Sequence, residues 1–322
     1  MSSAFQLELE RWGPDAVRGK SATSDEAAAY CRDLANSHYE NFPIVTWLLP
    51  RSLHQHFYNV YAFCRWADDL GDEVGDCERS LQLLGWWREE LRACYAGETR
   101  HPVFVALKET INRFEIPMEP LDDLISAFEQ DQTVRDYGTF AQLHDYCRRS
   151  ADPVGRIVLR LCRQYSGDNV PMSDSICTGL QLANFWQDVA RDADIGRVYL
   201  PREDRQRFGY TDTDLKSRTT NDAFLKLMRF EVGRARQFLL DGLPLVDCMP
   251  GRLRIDIDLF ARGGLLVLDR IAAVGYRVWE TRPVLKRRHF FGLFLKSLFR
   301  SAWPRRRAKP HPQRETSRTT DP

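Results

Sequence analysis

Four aspartates set the chemistry of this chain. Asp68 and Asp72 lie four residues apart in FYNVYAFCRWADDLGDE (residues 57–73), and Asp188 and Asp192 lie four apart in ICTGLQLANFWQDVARD (residues 176–192). On a helix that spacing puts each pair on adjacent turns, with Cβ atoms ~6 Å apart. Two carboxylates so placed repel each other unless a cation lies between them. The fitting cation is a hard divalent ion: magnesium takes one or two carboxylates and fills its remaining positions with water and substrate phosphate oxygens. Such a pattern suits the departure of a diphosphate, which leaves only when its charge is neutralised.

The neighbours of each pair strengthen the reading. Tyr61, Arg65, Asp68 and Asp72 follow at steps of four, three and four, and Gln181, Asn184, Asp188 and Asp192 at steps of three, four and four. Each set therefore shares one helix face. A single acidic pair is usually a solvated face, but the second set is flanked by Leu180, Leu182, Ala183, Phe185, Trp186 and Val189. Burying an uncompensated carboxylate there costs several kcal/mol, so a partner charge is required. Loss of diphosphate leaves a carbocation, which needs a dry, aromatic cavity. Phe42, Trp47, Phe63, Trp66, Phe185 and Trp186 are candidates, each more commonly a core residue than a cation contact. Asp69 and Glu73 point off the stripe and read as solvated or supporting groups, and Asp131 and Arg135, on another predicted helix, read as structural salt-bridge formers more often than catalytic groups.

The elements that must carry these residues are helices. From Ser24 to about residue 280, apolar residues recur at steps of three and four, with no sustained alternation of β-branched residues. The expectation is an all-α, single-domain bundle with a central cavity. Ser24-Asp25-Glu26 reads as an N-cap with an acidic first turn. Breaks fall near residues 41–43, 50, 97, 117–120, 166–171, 201–209 and 244–251, giving eight or more helices. Residues 1–23 read as a flexible leader, 24–285 as the helical domain, 286–303 as a basic and aromatic segment, and 304–322 as a disordered tail.

Composition removes several classes of function. A net charge of +1 argues against nucleic acid as a partner. Eight cysteines without a CxxC pair favour reduced thiols over a disulfide framework or a zinc site, as expected for a cytoplasmic protein. The N-terminus lacks the pattern of a secretory signal, and no run approaches the roughly 20 apolar residues of a spanning helix.

On these residues the chain resembles the squalene/phytoene synthase family across about residues 25–280. YAFCRWADDLGD (61–72) is similar to the family's first aspartate motif, and QLANFWQDVARD (181–192) followed by GRVYLP (196–201) to its second. Tyr146-Cys147 through SADPVG (150–155) resembles the central helix that lines the cavity opposite the first motif. HYENFP (38–43) and WLLP (47–50), taken with SADPVG and NFWQD (184–188), are most similar to the hydroxysqualene synthase branch of bacterial hopanoid biosynthesis.

The resemblance implies ionisation of presqualene diphosphate, rearrangement of its cyclopropylcarbinyl cation and capture by water. It implies two or three Mg²⁺ held by Asp68, Asp72, Asp188 and Asp192, and no NADPH. Gln181 and Asn184 would orient metal or diphosphate, Arg65 and Arg197 would neutralise phosphate oxygens, and Tyr61 would orient diphosphate or water. Asn41, Phe42, Tyr146 and Val154 complete the implied substrate contacts.

Two departures bear on the branch. Glu40-Asn41 stands where relatives that condense two farnesyl diphosphates carry a basic-hydroxyl pair, and Gln187 stands where many carry Arg, although Arg148, Arg149, Arg191 or Arg197 could compensate. The alternatives are a condensing squalene or phytoene synthase, a non-catalytic helical scaffold and, more distantly, a nucleotide-diphosphate hydrolase. Residues 282–309 hold ten Lys or Arg, no Asp or Glu, and several aromatics. Two readings are open for this stretch: peripheral contact with the inner face of the membrane, or a solvated helix end running into a disordered tail. A neighbouring pathway enzyme that hands over the substrate is a further expected partner.

Overall fold

A computed structural model describes residues 4–16, 22–37 and 49–284. Fourteen helices are present among them, and their only extended pairing is an isolated bridge between Asp136 and Val198. In chain order they are α1 (Ala4–Trp12), α2 (Ser24–Ser37), α3 (Arg51–Asp72), α4 (Cys77–Ala96), α5 (Pro102–Phe114), α6 (Glu119–Thr133) and α7 (Phe140–Ser150). They continue with α8 (Asp152–Leu161), α9 (Asn169–Asp194), α10 (Arg202–Arg207), α11 (Asp212–Lys216), α12 (Asp222–Gly242), α13 (Leu245–Cys248) and α14 (Leu253–Ala273). The expected all-α class is what the chain adopts.

Local chemistry sets the boundaries. Pro50 precedes α3 directly, where its missing N–H costs nothing. The Asp76 side chain accepts from the Arg79 amide at 2.7 Å to start α4, and Gly97, at φ 95°, ends it in the left-handed conformation that an L side chain resists. Thr139 and Gln142 form a reciprocal capping box at α7.

Two apolar clusters make up the interior. One gathers α2 to α6 around Phe63, Trp66, Trp87 and Phe104, with the Trp66 and Trp87 rings stacked at 5.4 Å. The other gathers α7, α9, α12 and α14 around Phe185, Trp186, Phe224 and Leu268. Phe63, Trp66, Phe185 and Trp186 are all packed into these clusters, the commoner of the two roles foreseen for them.

Glycines let α9 approach its neighbours closely. A Cβ at Gly242 of α12 would sit 2.6 Å from the Met172 carbonyl oxygen of α9, and one at Gly179 of α9 would sit 2.7 Å from Leu239 of α12. The helix that carries Asp188 and Asp192 is thus held tightly against α12 over its first half.

Order begins earlier than the sequence suggests. α1 precedes Ser24: Phe5 meets the Trp66 ring edge-on at 5.2 Å, and the Tyr30 hydroxyl donates to Glu8 at 2.7 Å. These are contacts with residues far along the chain, so a segment lacking clear periodicity of its own is held by tertiary packing. Residues 38–48, which include Asn41, Phe42 and Trp47, lie outside the described residues, as do the basic and aromatic segment 286–303 and the tail. Among the described residues the cysteines are free, with Cys77 and Cys248 exposed, and no helix is long and apolar enough to cross a membrane.

Candidate active site

The first acidic pair ends α3. Asp68 and Asp72 have side chains 42% and 57% exposed, open to an incoming ligand. Arg65, one turn back, donates from Nη1 to Asp68 at 3.1 Å and from Nε to Asp69 at 3.0 Å, and its Nη2 also binds Asp69. Asp69 is therefore not solvated. It is buried, and burial pushes its carboxyl up to about 6 even though Arg65 favours the charged form. Arg65 holds Asp68 and Asp69 in place rather than standing free for phosphate. Burial, followed by the neighbouring Asp72 charge, also raises Asp68. Tyr61 is half-buried beside Arg65 and Asp68, and burial raises its hydroxyl.

The second pair lies near the end of α9. Gln181 is half-buried and Asn184 exposed on the same stripe. Both oxygens of Asp188 are taken by Arg282, from Nε and, at 3.1 Å, from Nη2. Asp192 differs: its Oδ2 is buried without a partner. Burial and the Asp188 charge push its carboxyl up to about 7, against the opposing influence of Arg197 and Arg282.

A turn at the end of α9 joins the two pairs. Gly196, at φ 74°, reverses the chain, the Arg197 amide donates to the Asp192 carbonyl at 2.8 Å, and the Val198 amide donates to the Arg135 carbonyl at 2.8 Å. That path delivers Arg197 Nη2 to Asp72 Oδ1 at 3.3 Å. Arg197 thus stands between the ends of α3 and α9, distant in sequence, with its charge felt by Asp68 and Asp72 on one and by Asp192 on the other.

A fifth carboxylate enters from α6. That helix ends at Thr133, so Arg135 lies beyond it and acts on Asp131 as a nearby positive charge that favours the ionised form. Asp131 accepts from the Tyr146 hydroxyl of α7 at 2.8 Å, and its Oδ1 is buried without a partner. Burial raises it to about 6, with Arg197 favouring its charged form and Asp72 opposing it. Tyr146 is buried, while Val154 of α8 is 43% exposed, an apolar side chain left uncovered.

Among the described residues no three acidic, histidine or cysteine side chains converge closely enough to hold an ion alone. The donor set still suits magnesium, which uses few carboxylates and completes its shell from water and phosphate. Unpartnered oxygens on Asp131 and Asp192, and an unpartnered Nε on Arg197, are the groups such a complex would satisfy. Of the arginines considered as replacements for the missing basic groups, Arg197 reaches the site, whereas Arg149 pairs with Asp145 on the outer surface and Arg148 and Arg191 are exposed. Arg282 was not foreseen: it lies 94 residues from Asp188, at the start of a basic run whose composition drew attention to lipid.

Comparison with known proteins bears on the family and the fold. A family model described as squalene/phytoene synthase matches residues 35–289. The phytoene synthase of Arthrospira platensis is 33% identical over 230 residues, covering 67% of this chain and 74% of that protein. The hydroxysqualene synthase of Rhodopseudomonas palustris is 33% identical over 255 residues, covering 77% and 82%. Among solved structures, the squalene synthase HpnC from Alicyclobacillus acidocaldarius superposes with a TM-score of 0.75 at 43% identity, covering 79% of this chain and 95% of that one.

Proposed function

Since the chain belongs to the squalene/phytoene synthase family and is an enzyme of isoprenoid synthesis, we propose that it ionises presqualene diphosphate and adds water to the rearranged cation, giving hydroxysqualene and diphosphate. The observation that carries this reading is the meeting of Asp72 and Arg197 at 3.3 Å beside the unpartnered carboxylate oxygens of Asp131 and Asp192. When bound between the acidic helices and the diphosphate, magnesium supplies neutralisation of the leaving group's charge.

The chain's own residues do the rest. Arg65 orients Asp68, Arg197 presents a guanidinium where the acidic helices meet, and Gln181 and Asn184 line the approach to Asp188. Tyr146 keeps Asp131 aimed by donating to it. The buried aromatic clusters make the surrounding protein apolar, which strengthens each of these interactions.

The hydroxysqualene branch rests on the likeness to the hydroxysqualene synthase of Rhodopseudomonas palustris, together with Gln187. That side chain donates to the Pro283 carbonyl and places no charge at the site. A condensing synthase acting on two prenyl diphosphates is the second reading, favoured by the equal identity to a phytoene synthase. Product analysis separates them. Purified protein given presqualene diphosphate and Mg²⁺ without NADPH is expected to yield an alcohol detectable by mass spectrometry. Formation of presqualene diphosphate or phytoene from shorter prenyl diphosphates, with no alcohol, would establish the condensing reading instead.

A further inference from the structure

Arg282 occupies the second acidic helix from outside the helical bundle. α14 ends at Ala273, and the chain is then pinned by buried Val278 and by the Trp279 indole, which donates to the Tyr210 hydroxyl at 3.1 Å. Beyond this anchor, residues 281–284 run without regular structure across α9. Gln187 holds them through the Pro283 carbonyl, and Arg282 grips both oxygens of Asp188. The pairing lies at the edge of the bundle: the Arg282 side chain, 32% exposed, covers an Asp188 side chain 13% exposed, and Val284 beyond it is 56% exposed.

A guanidinium and a divalent cation compete for the same carboxylate lone pairs, and their like charges repel. A guanidinium fork is also matched to phosphate as well as to carboxylate. Resting on the metal and diphosphate reading above, we propose that Arg282 is a resident counter-ion of Asp188 that yields the carboxylate when metal and diphosphate enter together and then pairs with a diphosphate oxygen. Asp188 is thereby kept paired while the site is empty. Metal arriving alone meets a competitor, whereas metal arriving with diphosphate meets a strap that closes over it. Binding of the two ligands is coupled through one side chain.

The test uses the full chain and Mn²⁺ as the probe, with free ion followed by electron paramagnetic resonance, with and without inorganic pyrophosphate. Arg282→Gln is expected to bind Mn²⁺ alone about fivefold more tightly than wild type, the scale of a partly exposed ion pair, and to lose about tenfold of the enhancement that pyrophosphate confers. Arg282→Lys should fall between. Gln187→Ala, which loosens the strap but keeps its charge, should shift Mn²⁺ binding in the same direction by less. Thermal melting in chelator reports whether each variant is folded, and Gln187→Ala decides the matter should Arg282→Gln not fold. Unchanged affinities in the folded variants, or weaker Mn²⁺ binding without pyrophosphate, would overturn the role of Arg282 alone. A wild-type protein that binds neither probe would overturn the metal and diphosphate reading, and this inference with it.

Discussion

Among the described residues, buried carboxylate oxygens without partners occur in two settings, and the same physics has different consequences in each. Asp131, Asp192 and Arg197 lie close to one another, so a metal-diphosphate complex would offer positive charge to the two carboxylates and acceptor oxygens to the Arg197 Nε–H. Asp256 of α14 lies among apolar residues, 2% exposed, with neither oxygen partnered, and burial pushes it up to about 7. An acid whose folded pKa is raised stabilises the fold fully below its ordinary value near 4, and that contribution is lost as pH rises towards 7. Asp256→Asn should therefore match wild type near pH 4 and exceed it by on the order of 4 kcal/mol at pH 8. Urea melts at both pH values check this; a constant difference between the two proteins would contradict it. Residue identity alone separated some of these cases and not others. The stripes around Asp68 and Asp188 were legible because helical spacing is local. The partner of Asp131 was not, since an i+4 arginine promises a bridge only while the helix continues, and α6 stops two residues short of Arg135. Arg282 carried no local signal, because its contact with Asp188 depends on where the chain returns after α14.

At the scale of elements, the site depends on α9 holding its height against α12 and α14. Three glycines make that approach possible: Gly179, Gly242 and Gly264 each lack room for a Cβ. At Gly242 the obstruction is backbone, the Met172 carbonyl oxygen at 2.6 Å and the Ile176 amide nitrogen at 2.9 Å, so a flexible side chain cannot simply move aside. Gly242→Ala is expected to destabilise by about 1–3 kcal/mol, the usual cost of overpacking, read as a melting temperature lower by several degrees. An unchanged melting temperature would show that α12 slides freely. The helices themselves were largely legible, because Pro50, Gly97, Pro201 and Pro244 punctuate the chain where helices begin or end. α1 was not, since what holds it is contact with residues far along the chain: Trp12 packs on Tyr30 and His101.

At the scale of the whole molecule, an all-α chain brings together acidic residues separated by more than a hundred positions, and the link is a single turn at Gly196 that carries Arg197 to Asp72. Period and composition made the class of fold legible, yet neither contains the crossing of helices that converts two stripes into one site. Both acidic helices are proposed to act on one diphosphate. The decisive measurement is diphosphate release from presqualene diphosphate with Mg²⁺, compared for wild type, Asp68→Asn and Asp188→Asn. Each substitution alone is expected to lower turnover at least ~100-fold, the scale of losing a principal charge-stabilising group. Near-normal turnover in both purified, folded variants would contradict it.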